Sequence, residues 1–76
     1  MKELLLYIAR NLVENPDEVT VTEVQGEHGL TLQLRVAPSD MGKVIGRQGR
    51  IAKEIRTLIR SCAQRTGVRV SVDIVE

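Results

Sequence analysis

The chain is poor in aromatic side chains, since its 76 residues include one Tyr and no Phe or Trp. This scarcity excludes the class of RNA-binding domain that stacks bases on a platform of exposed aromatic rings. A single Cys excludes an internal disulfide and a Cys-based metal site. The apolar run at residues 4–9 is six residues long, too short for a signal-peptide core or a membrane span. We therefore expect a cytoplasmic protein with no membrane segment.

Few residues could carry catalysis or hold a metal. The only His, His28, lies in a glycine-bounded turn, where we interpret it as solvated. Cys62 falls on the apolar face of a predicted helix, and we interpret it as a buried, inert thiol. A P-loop at Gly42 is excluded, because position 37 is Ala and no Ser or Thr follows Lys43. We predict no enzyme activity, no metal, no cofactor and no small-molecule substrate.

Charge is distributed unevenly along the chain, although the net charge is only +1. Residues 1–40 contain three basic and seven acidic residues, a net charge of −4. Residues 41–76 contain eight basic and three acidic residues, a net charge of +5. The asymmetry favours a basic face with an anionic partner, while solvated basic helices remain the alternative.

The length allows one domain, which we place at residues 1–76. The spacing of apolar residues predicts helix, strand, strand, helix, helix and strand near residues 2–14, 19–24, 30–36, 40–45, 50–65 and 68–74. The alternation slips between Val21 and Val24, which predicts a bulge or a strand end there. Ser39 or Asp40 is predicted to cap the short helix. Since each strand has one apolar face, we expect a two-layer α+β domain with three helices on one side of a three-stranded sheet.

The most informative segment is the loop Gly46–Gly49, with the sequence Gly-Arg-Gln-Gly between two predicted helices. Without β-carbons, Gly46 and Gly49 allow a tight turn and the close approach of another chain. The following helix presents free N–H groups and a positive dipole end, which suit a phosphate. Four cations and three apolar residues flank the loop, namely Lys43, Arg47, Arg50, Lys53, Val44, Ile45 and Ile51. A plain inter-helix turn is the alternative interpretation.

Residues 44–51, Val-Ile-Gly-Arg-Gln-Gly-Arg-Ile, resemble the signature of KH domains, whose loop clamps about four nucleotides. The element order resembles the bacterial type II KH arrangement, and the whole chain is similar to the small stand-alone proteins of the KhpA family. The resemblance implies a mixed three-stranded sheet covered on one face by three helices. It also implies RNA binding, with an RNA-chaperone or post-transcriptional role.

The resemblance further implies a set of RNA-binding residues. Gly46 and Gly49 would shape the loop, and Arg47 and Gln48 would face the RNA backbone. Ile45 and Ile51 would divide between the core and the groove. The predicted set is Lys43, Ile45, Gly46, Arg47, Gln48, Gly49, Arg50 and Lys53.

Two alternatives stay open at this point. One is an assembly subunit that forms a homodimer or docks on a larger KH protein of the Jag type, as the family also implies. Another is a binder of single-stranded DNA, since the loop would grip a backbone common to both polymers.

On the long helix, Arg56 and Arg60 are interpreted as solvated or as contacts to RNA or an acidic partner. Leu58 is a candidate contact for self-association if the first helix leaves it uncovered.

Overall fold

The computed structural model describes residues 1–75. Within them, three α-helices and a three-stranded sheet follow in the predicted order. They are α1 (Lys2–Leu12), β1 (Thr20–Gly26), β2 (Gly29–Arg35), α2 (Met41–Ile45), α3 (Arg50–Gln64) and β3 (Val70–Val75). Short 3₁₀ turns precede β1, α2 and α3, at Pro16–Glu18, Pro38–Asp40 and Arg47–Gly49.

The sheet has the strand order β1-β2-β3, with β1 antiparallel and β3 parallel to the central strand. It is therefore the predicted mixed sheet. The hairpin closes with Gly26 opposite Gly29, so the loop between β1 and β2 has two residues. The predicted bulge is wrong, because the pairing continues without interruption from Thr20 to Gly26. Val24 instead lies on the sheet face opposite the helices, where it is 43% exposed.

The core lies between the helices and one face of the sheet. Leu5 and Ala9 come from α1, Val44 from α2, and Ile55 and Ile59 from α3, all of them buried. They meet the buried strand residues Val21, Leu32, Leu34, Val70 and Val72. Each large aliphatic side chain contributes about 1.5–3 kcal/mol on full burial. This single core fixes α2 and α3, and with them the loop between them.

The first helix is shorter than predicted, ending at Leu12 rather than near residue 14. Val13 is extended, with φ −101° and ψ 164°. No helix within residues 1–75 is both long and apolar enough to cross a membrane.

Candidate nucleic-acid interface

Three of the four residues in the loop between α2 and α3 have an unusual backbone conformation. Gly46 has φ 75° and ψ 176°, Gln48 has φ 57° and ψ 26°, and Gly49 has φ 73° and ψ 15°. Among residues 1–75, Gln48 is the one non-glycine residue with positive φ. Such a conformation is uncommon outside glycine, and in structures it concentrates at functional sites.

The two glycines differ in what surrounds them. The side chain of Ile51 fills the space where a β-carbon of Gly46 would lie. The absence of a side chain at Gly46 therefore allows the loop to pack against α3. Gly49 has no other group within 4 Å of its β-carbon position in the described structure. One side of the loop is therefore tightly packed, and the other is open to an approaching chain.

Helix α3 begins directly after this loop. Its N-cap is Gly49, and no side chain in the described structure forms a capping hydrogen bond there. The first N–H groups of a helix have no partner within the helix, and the dipole is positive at that end. Around it, Arg47, Arg50 and Lys53 are all exposed. The N–H of Arg50 already donates to the backbone oxygen of Arg47. The N–H groups after it and the three cations are what this end of α3 offers to an anionic ligand.

The two apolar residues of the predicted site differ in burial. Ile45 is 37% exposed. Ile51 is half-buried and packs against both the core and the loop. Their exposed parts provide a small apolar surface beside the loop.

Lys43 differs from the other predicted cations because an acidic side chain lies close to it. Its Nζ is 3.9 Å from Oε1 of Glu14, which follows the end of α1. Both side chains are well exposed, so the pair contributes little to stability. This contact was not predictable from local sequence patterns, because Glu14 and Lys43 are far apart along the chain.

The prediction that Asp40 caps α2 is wrong, and Asp40 has a different role. Its side chain makes no capping hydrogen bond to α2. Instead, its carboxylate accepts hydrogen bonds from the backbone N–H of Glu14 at 3.2 Å and of Asn15 at 3.0 Å. It also accepts one from Nδ2 of Asn15 at 3.0 Å. The carboxylate thus ties the chain after α1 to the start of α2.

These donors keep the carboxylate of Asp40 ionised. Burial alone would raise the pKa of this carboxyl, which is 1% exposed. The hydrogen bonds from Asn15 and Glu14, with the nearby charge of Lys43, outweigh that effect and lower the pKa below its ordinary value of 3.8. Asp40 therefore stays ionised and keeps α2, which carries the loop, in a fixed position.

Another unpredicted contact joins α3 to β3. The Nε–H group of Arg56 donates to the backbone oxygen of Val72 at 3.1 Å. The N–H of Leu30 donates to the oxygen of Arg69 at 2.9 Å. Because alternate residues pair in a parallel ladder, Arg69 and Ser71 face β2, and Val70 and Val72 direct their backbone groups to the free edge. Arg56 thus contacts the sheet edge and is not simply solvated.

Three further interpretations have mixed outcomes. His28 is exposed in the hairpin turn, as expected. Cys62 is half-buried rather than buried. Leu58 is 46% exposed, so α1 leaves it partly uncovered. The described residues contain no group of three or more His, Cys, Asp or Glu side chains that could hold a metal.

Comparison with known proteins agrees with this geometry. A family model described as "KhpA/KhpB, KH domain" matches residues 2–74. A protein of Clostridium acetobutylicum named RNA-binding protein KhpA is 59% identical, over 99% of this chain and 100% of its own length. One of Chlamydia pneumoniae with the same name is 54% identical, over 100% of this chain and 97% of its own length.

A solved structure shares the fold at lower identity. Aquifex aeolicus Era, bound to GDP and aluminium fluoride, matches with a TM-score of 0.65 and 21% identity. The match covers 96% of this chain but only 28% of the Era chain. The likeness therefore concerns one domain of a larger protein and shows the fold alone.

Proposed function

This chain belongs to the KhpA/KhpB KH-domain family, and from that membership we propose that it binds single-stranded RNA through the loop Gly46–Gly49. The observation that carries the proposal is the loop itself. Its open side at Gly49 lies next to the uncapped N-terminus of α3 and three exposed cations. Relatives more than half identical over the full length are named RNA-binding proteins, which supports the same ligand.

In this proposal the loop holds the RNA backbone. The N–H groups at the start of α3 and the side chains of Arg47, Arg50 and Lys53 meet the phosphates, which positions the strand. Gln48 offers amide donors and an acceptor on the same exposed turn. Bases rest on the apolar surface of Ile45 and Ile51. With one Tyr and no Phe or Trp, the domain lacks the stacking that contributes ~1–3 kcal/mol per base elsewhere, so one copy binds with modest affinity.

The test is a titration of a labelled, unstructured RNA with the wild type and with Arg47→Asp/Gln48→Asp. About four clamped phosphates, at ~0.7 counterions each, predict roughly fifty-fold weaker binding when salt rises from about 50 to about 200 mM. The double variant should lose most of the binding. A matched control is Arg10→Asp/Asn11→Asp, which makes the same change of charge on the exposed end of α1.

Circular dichroism must first show that both variants fold. Equal binding by the wild type and the loop variant would contradict the proposal, as would equal loss in the loop and control variants. Repeating the titration with DNA of the same sequence separates the two polymers. Tighter binding of RNA indicates contacts to the 2′-hydroxyl.

The cellular role that we propose is that of an RNA chaperone or post-transcriptional regulator in the cytoplasm. The domain acts by binding rather than by catalysis. Broad tolerance of sequence follows from a grip on phosphates, which carry no sequence information.

A second candidate function, assembly with another KH domain, is favoured by one observation. A shallow apolar cleft of about 370 Å³ lies between α1 and α3, lined by Ile8, Leu12, Ile51, Glu54, Ile55 and Leu58. Leu12 and Leu58 are 37% and 46% exposed. We propose self-association or pairing with a larger Jag-type KH protein through this surface. Sedimentation of the wild type and of Leu58→Glu tests it, since a wild-type monomer at high concentration would contradict the homodimer.

A further inference from the structure

We propose that the outer side of β1 is a docking site for an extended, basic segment of another protein, which adds to the sheet as a fourth strand. β1 is an end strand in the order β1-β2-β3, so one of its sides has no neighbouring strand within residues 1–75. An exposed strand edge can bind an extended peptide through backbone hydrogen bonds. This partner is separate from the RNA proposed for the loop Gly46–Gly49.

The hydrogen bond between Leu30 and Arg69 establishes which backbone groups of β1 point outward. The N–H of Leu30 donates to the oxygen of Arg69, so Leu30 directs its backbone groups to β3. Because these directions alternate along a strand, the next residue of β2 faces β1, where its partner is Val24. The neighbours of Val24 on β1, Glu23 and Gln25, therefore direct their N–H and C=O groups away from the sheet.

These outward groups of Glu23 and Gln25, here called the β1 edge, are accessible. Both residues are exposed, and no hydrogen bond within residues 1–75 engages their outward backbone groups. Val21 is only 6% exposed, so the accessible part of the strand begins after it. The pairing from Thr20 to Gly26 has no bulge, and the strand contains no Pro or Lys. It therefore lacks the features that commonly block an edge strand.

The charge around the β1 edge favours a basic partner. Residues 14–27 contain five acidic residues and no Lys or Arg, a net charge of −5. Among these acids, only Glu14 forms an ion pair within residues 1–75, with Lys43. Exposed carboxylates thus lie before, within and after the strand, at Asp17, Glu23 and Glu27. They repel the phosphates of RNA and attract Lys and Arg side chains.

The same charges disfavour a second copy of this chain at the β1 edge. Two such strands would bring together segments that contain carboxylates and no Lys or Arg, so no register sets opposite charges against one another. Like charges directly opposite one another destabilise a strand pair. A basic segment instead places a cation opposite Glu23, and the charges therefore select it as the occupant.

The side chains of β1 predict the pattern of the bound segment. Glu23 and Val24 point to opposite faces of the sheet. Val24 is 43% exposed, although it is apolar. A β-branched residue beside Val24 would cover it, and a Lys or Arg beside Glu23 would pair with the carboxylate. The expected segment therefore alternates cationic and β-branched residues.

The experiment titrates the protein with a labelled peptide of this pattern, Gly-Lys-Val-Arg-Val-Lys-Gly. The control peptide has the same side chains but carries N-methyl groups on the backbone nitrogens of its Lys, Val and Arg residues. It keeps the charge and loses the donors that strand addition requires. The wild type should bind it at least about tenfold more weakly than the first peptide.

Two variants change the β1 edge, and two others are controls. Glu23→Lys should weaken binding of the first peptide by about tenfold, because it sets like charges opposite one another. Gln25→Pro should also weaken it, because it removes an outward N–H that makes no bond to β2. Asp73→Lys makes the same change of charge at an exposed position on β3, roughly 10 Å away across the sheet, and should bind like the wild type. Arg47→Asp/Gln48→Asp should also keep the peptide binding.

Hydrogen exchange of the wild type gives a readout that needs no variant. In the free protein the amides of Thr22 and Val24, which face β2, should exchange slowly, and those of Glu23 and Gln25 should exchange fast. Saturating peptide should slow the exchange of Glu23 and Gln25. Unchanged exchange at these two amides, or equal binding of the N-methylated peptide, would overturn strand addition. RNA binding by the same preparation shows whether the proposed function of the loop stands or fails independently.

Discussion

A β-carbon built on Gly46 would lie 2.6 Å from Cγ1 of Ile51, closer than two non-bonded carbon atoms can approach. Gly46 also has φ 75° and ψ 176°, a region that essentially only glycine occupies. The start of the loop is therefore held by two independent constraints, one on the backbone and one on the space beside it. Both constraints depend on the absence of a side chain at this position.

The first prediction compares the two glycines of the loop. Gly46→Ala should lower the free energy of unfolding by about 3 kcal/mol, because it adds backbone strain and overpacking against Ile51. Gly49→Ala should cost only about 1 kcal/mol, because its left-handed backbone is strained but the surrounding space is open. Urea unfolding of both variants measures the difference. Equal costs would show that Ile51 moves aside freely.

Much of this fold is readable from the sequence. The alternation of Leu30, Leu32 and Leu34 predicted β2 correctly, and the Gly26–Gly29 segment predicted the hairpin. These features are local, since period, turn residues and strand ends are all set by near neighbours. The loop was predictable for the same reason, because its glycines and cations are adjacent in sequence.

The parts that were missed depend on contacts distant in sequence. Asp40 resembled a helix cap because of its position, but its donors come from Glu14 and Asn15 across the fold. The hydrogen bond between Arg56 and Val72 likewise joins two elements whose relative placement the pattern does not define. The predicted bulge failed because Val24 faces solvent, and exposure of one valine does not break the pairing.

The second prediction concerns Asp40 and pH. The folded pKa of this carboxyl is lower than its ordinary value of 3.8, so the ionised form stabilises the fold above that value. This contribution is lost as the pH falls through the folded pKa. Asp40→Asn should unfold at lower urea than the wild type at neutral pH, since an amide places N–H groups against the donors of Asn15. The difference should narrow below about pH 3.8.

Urea unfolding of both proteins from neutral to acidic pH measures this effect. Asp17→Asn is a suitable control, because it makes the same change of side chain at an exposed position. The free energy of unfolding could instead differ between Asp40→Asn and the wild type by the same amount at every pH. That result would mean that shape, not charge, holds α2 to the end of α1.

The third prediction concerns Arg56. Arg56→Ala should destabilise the protein by about 1 kcal/mol, the typical net value of one hydrogen bond. It should also weaken binding of RNA, because it removes a cation that lies one helical turn along α3 from Lys53. Arg56→Lys should restore the charge but not the Nε–H donor to Val72. If RNA binding recovers in Arg56→Lys but stability does not, the charge and the hydrogen bond to Val72 have separate roles. Arg10→Ala is the control for the loss of one positive charge.

The fourth prediction concerns Glu14, whose carboxylate lies 3.9 Å from Nζ of Lys43. Because the pair is exposed, Glu14→Gln should change stability by less than about 0.5 kcal/mol. It should nevertheless tighten RNA binding, by about twofold at low salt, because Lys43 is then free of a competing anion. In a Lys43→Gln background the same substitution should have a smaller effect, since the cation that it frees is gone. An equal gain in both backgrounds would show that Glu14 repels RNA directly and that Lys43 lies outside the bound strand.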